Sequence, residues 1–549
     1  MFEKIKKTLV SLWQENPIIG NLVVFALVFS VCVSIYLPAP GTLYIDDHFF
    51  HFKYASLLKT IGLSISSHFD WIYLSEFVNG NLPYRASLFH VALIPFTYFN
   101  DMEMGLKISD IFWASSALGL IYYSLRKLKI GYASLLVLFL AVFNFSMVRL
   151  LAGRPLVLAL GMILLMIYFA IQKKYYKFFI ASLVYVFWHQ ATFFMPFIIA
   201  VIAEVGRYMS FKEIKIKGIV GSLISMFFAL LYFSFNTFVV FLSLFKKIVT
   251  EAVPGEGVEI YKRDIFQILS FSETFLFFLL VSFAFVFYVY TSNRNVPEEK
   301  RPKSTITVYV AFLFLLMVTA GTIMANGRFF DYYGIGVIFL AGSCISYLSQ
   351  IKFNFDEKLK KFLIIGVLFF LLISGTSTFI NIKREIYSSD YSAIKKVAEW
   401  IKSKSEEKDK VYLYRWDYFS LAFFYNDKNT YSMGMEPMQL FYYNKKLYWK
   451  WYNIHNHGIY CDKEEDCSSE AGEYSNSLKN ASDDQKKLII KENGRKIIKS
   501  IKDDFDAKFV ITAETSISDI FESNEDLIND SFEAKSSINE GKAWGYKLR

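Results

Sequence analysis

Long apolar runs alternate with short charged segments from residue 17 to about residue 380, and the rest of the chain is mixed and polar. Runs near 20 apolar residues match the thickness of a bilayer's hydrocarbon core. The pattern predicts eleven spans, at about 17–37, 108–125, 132–150, 154–172, 178–189, 190–205, 218–245, 268–292, 305–325, 334–350 and 362–380. Two segments depart from the simple pattern. Ala86–Phe99 is apolar but short and carries His90 and Pro95, so it reads as a helix lying on the membrane surface. The run 178–205 is broken by Trp188-His189-Gln190 and reads as two short helices with His189 at the turn, with one long tilted helix as the alternative. The first apolar run ends at Pro38-Ala39-Pro40-Gly41 without a small-residue cleavage pattern, which predicts a retained signal anchor.

Charge orients this arrangement. Lys and Arg gather in six short segments, around residues 4–7, 126–129, 173–177, 207–217, 294–303 and 352–361. With eleven spans all six fall on one side, which the positive-inside rule assigns to the cytoplasm. The N-terminus is then inside. A long first loop, 38–107, and the domain from 381 to 549 are outside, and the chain is a multi-pass protein of the cell membrane. Composition agrees: 54% of the 549 residues are hydrophobic, 57 of them Phe, and mean hydropathy is +0.33. The net charge of +9 belongs to the loops between spans and is no nucleic-acid signal.

The domain after 381 reads as α/β. Ile394, Val397, Ala398 and Ile401 share one helical face within Tyr391–Ser403. Lys410–Tyr414 and Ala507–Thr512 read as strands. The aromatic stretch Phe441–Tyr452 suits sugar stacking, a domain core or a membrane-facing surface. From residue 468, Ser, Glu, Asn and Lys become dense. Cys461 and Cys467 are open to a disulfide, to zinc with His455 and His457, or to two free thiols. No Gly-rich phosphate loop, dinucleotide fingerprint or Ser-His-Asp signature appears, so a nucleotide-sugar donor is not expected.

The candidate chemistry lies just past the first span. Asp46, Asp47 and His48 open the segment Asp46-Asp47-His48-Phe49-Phe50-His51. Adjacent carboxylates repel and call for a proton or a cation, so a general base or a divalent metal (Mg or Mn) on Asp46 and Asp47 is one reading. A helix cap through Asp47 is the other. Arg154, Arg328, Lys262 and Arg263 are expected at the outer face, where they either stabilise phosphate or snorkel. His189 and Glu273 complete the set, since a carboxylate in a span is costly facing lipid and is expected to face a cavity.

This layout resembles the polyprenyl-phosphate-dependent, type C glycosyltransferases. The resemblance is carried by the acidic opening of the first outer loop, by Pro83-Tyr84 before Leu88-Phe89-His90, by Arg154-Pro155 and by Arg328-Phe329-Phe330-Asp331-Tyr332. It implies that a first-loop carboxylate acts as base or metal ligand. It further implies that the donor is a polyprenyl-phosphate-linked sugar in the membrane lipids, and that the acceptor is a glycan, lipid or protein. Ser270-Phe271-Ser272-Glu273 and Arg415-Trp416-Asp417-Tyr418-Phe419 partly match motifs of the oligosaccharyltransferase branch. A surface-glycan polymerase or ligase of another fold, or a multi-pass transporter, are the other classes open to this sequence.

Overall fold

The computed structural model describes residues 17–39, 42, 47–62, 69–75, 86–142, 144–233, 272–324, 329–351, 357–388, 391–434, 437–537 and 541–549. The protein is mostly helical, with a small C-terminal sheet. Five described helices are long and apolar enough to cross a bilayer: Ile18–Tyr36, Met102–Lys127, Gln190–Phe211, Thr305–Thr322 and Tyr333–Gln350. Several other predicted spans are shorter helices, including Ala133–Val142, Leu156–Ile171, Tyr175–Trp188 and Lys217–Tyr232. Two differ from the sequence expectation in form. The run 132–150 is divided into Ala133–Val142 and Asn144–Leu150, and the last helix runs on from Glu357 to Ser388. Met102–Lys127 begins earlier than its apolar run because Asp101 caps it, accepting from the amides of Glu103 at 2.9 Å and Met104 at 3.3 Å. The run 178–205 is broken at His189 into Tyr175–Trp188 and Met195–Phe211. Ala86–Phe99 forms the helix Leu88–Leu93 and a 3-10 turn, Ile94–Tyr98.

Polar contacts between helix ends fall into two sets. In one, Lys173 pairs with Glu213, Arg301 donates to the Ser210 carbonyl, Gly131 N–H donates to Ser346 at 3.0 Å and Asn293 to Tyr347 at 2.8 Å. These join the basic segments. In the other set, Tyr36 donates to Asp110 at 3.2 Å, Trp188 Nε1–H to the Pro155 carbonyl at 2.7 Å and Tyr232 to the Ala86 carbonyl at 2.9 Å. The helix Lys217–Phe233 runs between the two sets, beginning just past Glu213 and carrying Tyr232 in its last turn, and Met102–Lys127 runs from Asp110 toward the turn at Gly131.

The C-terminal sheet has the order β2-β1-β3-β5-β4, with β1 Lys410–Leu413, β2 Thr430–Tyr431, β3 Phe509–Thr512, β4 Ile528–Lys535 and β5 Lys542–Leu548. β1 runs parallel to β2 and β3, and β5 is antiparallel to β3 and β4. Every residue of β3 is buried, and its apolar run Phe509-Val510-Ile511 suits a strand covered on both faces. The helix Ser392–Lys404 buries Ile394, Val397 and Ile401 on one face. Its Trp400 lies where a side chain at Gly545 of β5 would stand. The polar stretch after 468 is helical, as Ser468–Asn480 and Asp483–Asp503. Within the aromatic stretch, Tyr448 and Trp451 are buried and Trp451 Nε1–H donates to the Tyr414 carbonyl at 3.1 Å, so its centre is core. Cys461 and Cys467 form a disulfide, while Cys32 and Cys344 are free.

The first loop joins this domain. Phe49, Phe50, Phe52 and Tyr54 of the helix Asp47–Ile61 share a hydrophobic core with Phe419, Phe423, Phe424 and Tyr431. Ile72 pairs in parallel with Tyr431 and continues the sheet beyond β2. Tyr73 N–H donates to the Tyr431 carbonyl at 3.0 Å, and Tyr431 N–H to that of Trp71 at 2.7 Å.

Candidate active site

Asp47 is the first residue of the helix Asp47–Ile61, where the exposed amides of the first turn favour a carboxylate. Its Oδ2 lies 3.0 Å from Arg154 Nε. Arg154 reaches it because of the turn between Asn144–Leu150 and Leu156–Ile171. Gly153 has φ +59°, and a Cβ there would stand 2.3 Å from Asp110 Oδ1 and 2.6 Å from His48 Cβ. Glycine alone fits both the conformation and the space. Two residues singled out separately in the sequence thus form one ion pair, open enough to meet a ligand: 39% exposed for Asp47 and 27% for Arg154.

A second pair lies close by. Arg149 Nε is 3.0 Å from Asp331 Oδ1. Burial raises the Asp331 carboxyl above its usual range, and the charges of Arg149 and Arg154 pull it partly back. Both guanidinium groups therefore act on the same carboxyl. Arg149 was missed in the sequence, where the one available signal was a second Arg five positions before Arg154. Asp331 appears there only as part of the segment that carries Arg328.

Four histidines gather around these pairs. His51 sits one helical turn beyond Asp47, with Nδ1 2.9 Å from His90 Nε2. His189 Nδ1 is 2.6 Å from Thr192 Oγ1, and that hydroxyl is 3.2 Å from Tyr332 OH and 2.7 Å from Tyr185 OH. The broken helix thereby fixes His189 beside the Asp331 turn. His48 is 1% exposed, with Nδ1 3.4 Å from Asp110 Oδ2. It lies under the Gly153 turn and packs edge-on against Phe49, so it supports the start of the helix from below. Burial, with the positive charge of Arg154 adding to it, pushes His48 down to about 3.

Asp46, Lys262, Arg263 and Arg328 lie outside the described residues. Glu273 is in the first turn of the helix Ser272–Asn293, with its side chain outside the described set. In the C-terminal domain Asp417 is held by two bonds from Arg415, at 3.0 and 2.7 Å. A divalent cation at Asp47 would compete with the guanidinium already facing it. The one cluster of metal-ligand type among the described residues is Cys461, Cys467 and Glu470, whose cysteines are joined as a disulfide and offer no thiolate. Of the two carboxylates that the metal reading needs, Asp46 lies outside the described residues, so the chemistry here rests on Asp47 and the guanidinium groups beside it. No protein-family model matches the chain, and no curated protein matches it.

Proposed function

We propose that the protein is an integral membrane glycosyltransferase of the type C class, moving a sugar from a polyprenyl-phosphate-linked donor to an acceptor on the extracytoplasmic side. The observation that carries this reading is the Asp47–Arg154 pair, with Arg149 and Asp331 beside it. Arg presents a planar fork that suits phosphate oxygens, and a carboxylate next to it can take the acceptor's proton. In the proposed reaction the bond from the sugar's anomeric carbon to the phosphate oxygen breaks, and its electron pair leaves with the lipid phosphate. Arg154 and Arg149 stabilise that growing negative charge. The acceptor oxygen bonds to the anomeric carbon and gives its proton to Asp47.

The division of helix ends supports the topology. Contacts join the basic segments to one another, and separate contacts join the Asp, His and Arg candidates to one another. That is the alternation eleven spans would give, with the basic end in the cytoplasm. The shared core of the first loop and the C-terminal domain fits both being on the far side.

The test is release of polyprenyl phosphate from a short-chain polyprenyl phosphohexose, in membranes that contain the natural acceptor. Asp47→Asn abolishes release with expression unchanged. Arg154→Lys slows it almost as much as Arg154→Ala, because Lys keeps the charge but loses the two-point contact. Wild-type rates in both Asp47→Asn and Arg154→Lys would leave the pair as a helix-terminus contact and end the reading.

A further inference from the structure

His90 occupies the third position of the helix Leu88–Leu93, from which a Glu or Gln commonly reaches back to the amide of the capping residue. Here an imidazole does so: Ser87 N–H donates to His90 Nδ1 at 3.0 Å. A backbone amide only donates, so Nδ1 carries the lone pair. Burial keeps His90 well below the usual histidine range, and a neutral ring has a single proton, which is then on Nε2. That Nε2 is the atom 2.9 Å from His51 Nδ1. His51 Nδ1 is therefore an acceptor. His51 is also neutral, held at about 4 chiefly by burial, with Asp47 opposing the shift and Arg154 adding to it. Its own proton is then on Nε2, which makes no hydrogen bond to any described residue. The ring stands one helical turn from Asp47, the partner of Arg154.

We propose that His90 is a positioning residue that locks His51 as an Nε2–H donor to an oxygen of the donor lipid's phosphate, next to Arg154. This role rests on the phosphosugar reading above. The geometry behind it is a one-way chain of hydrogen bonds, from Ser87 N–H to His90 to His51 to the ligand. It fixes the tautomer of His51 without any charged group behind it.

Two substitutions separate this from simple packing. Both His90→Gln and His90→Glu keep an oxygen to accept the Ser87 amide. Only Gln also keeps an N–H for His51 Nδ1, whereas Glu can only accept and turns His51 to the Nδ1–H form. Nitrogen chemical shifts of histidine-labelled protein, assigned through a His51 variant, read the tautomer. Release of polyprenyl phosphate from a short-chain polyprenyl phosphohexose reads the rate. The expected result is Nε2–H His51 in wild type and His90→Gln, with a substantial rate in both. In His90→Glu the Nδ1–H form appears and the rate falls on the order of 100-fold, the size of one lost transition-state donor. An Nδ1–H His51 in wild type overturns the proposal, as do equal rates for the Gln and Glu variants. If His90→Glu does not fold, His51→Gln against His51→Asn takes its place. The Gln amide reaches the Nε2 position and should retain more activity, and equal rates overturn the proposal. Full activity in Asp47→Asn would overturn the site itself, and with it the role of His51; an intact wild-type tautomer signal would distinguish that failure from failure of the relay.

Discussion

The ammonium of Lys53 lies 3.0 Å from the carboxylate of Asp427, joining the first-loop helix to the C-terminal domain. Lys53 is 9% exposed, so its charge has little water to turn to. Burial lowers the Lys53 ammonium below its usual range, and Asp427 opposes that shift. On the carboxylate side burial works against ionisation, but the charge and hydrogen bond of Lys53, together with the charge of Lys402 and a backbone hydrogen bond, outweigh it and hold Asp427 below its usual range. Trp71 Nε1–H donates to the Asp427 carbonyl at 2.8 Å, so the same residue fixes the loop twice.

Removing one partner of this pair costs more than removing both. Asp427→Ala leaves a buried ammonium unpaired and is expected to cost about 3 kcal/mol or more, whereas Lys53→Met with Asp427→Leu recovers much of the loss. Thermal melting in detergent measures both. A single variant that melts with the wild type would mean that the loop and the domain separate freely.

Gly153→Ala is expected to damage both fold and activity. The positive φ alone costs about 1–3 kcal/mol for a residue with a side chain. The new methyl group also meets Asp110 and His48, which displaces the turn that carries Arg154. Transfer rate should fall further than the melting temperature accounts for. Full transfer with an unchanged melting temperature would show that the turn tolerates a Cβ.

Acid should loosen the first loop before most carboxylates titrate. His51 has its folded pKa lowered to about 4 by burial, below the unfolded value of about 6.5. As pH falls from 6.5, the unfolded chain therefore takes up a proton that the folded chain refuses. Stability is complete above about 6.5 and declines toward about 4, by up to about 1.4 kcal/mol per pH unit for this one ring. His48, lowered to about 3, adds in the same direction. Melting curves at pH 7.5 and 5 should differ more for the wild type than for His51→Asn. Equal pH slopes would mean that His51 titrates normally.

Single cysteines test the sidedness. With Cys32 and Cys344 replaced, a cysteine at the exposed position 483 should react with an impermeant reagent in intact cells. Cysteines at the exposed positions 215 and 300 should not. Protection at 483 would reverse the orientation.

Much of this protein was legible along the chain because the forces involved are local. The helix Ser392–Lys404 followed from the spacing of Ile394, Val397 and Ile401, and the strand at 509–512 from its apolar run. The break at His189 followed from polar residues interrupting an apolar stretch. Asp47 and Arg154 stood out one at a time, since charges beside apolar runs are conspicuous. Composition alone did not reveal helices in the polar stretch after 468, because a helix such as Asp483–Asp503 needs only one buried face, with Ile497, Ile498 and Ile501 on it.

What the sequence could not convey is which of these residues meet. Asp47 faces Arg154 because Gly153 lets a distant turn close over His48. Arg149 finds Asp331 only through helix packing. The pairing of His51 with His90 depends on two helices of the first loop coming together, and on a capping bond that sets which nitrogen holds the proton. The union of that loop with the C-terminal sheet, through Ile72 and Tyr431, joins segments far apart in the chain. Periodicity and hydropathy record what one segment buries. The partner it buries against is chosen by the three-dimensional packing of all the segments together, and here that packing assembles the site.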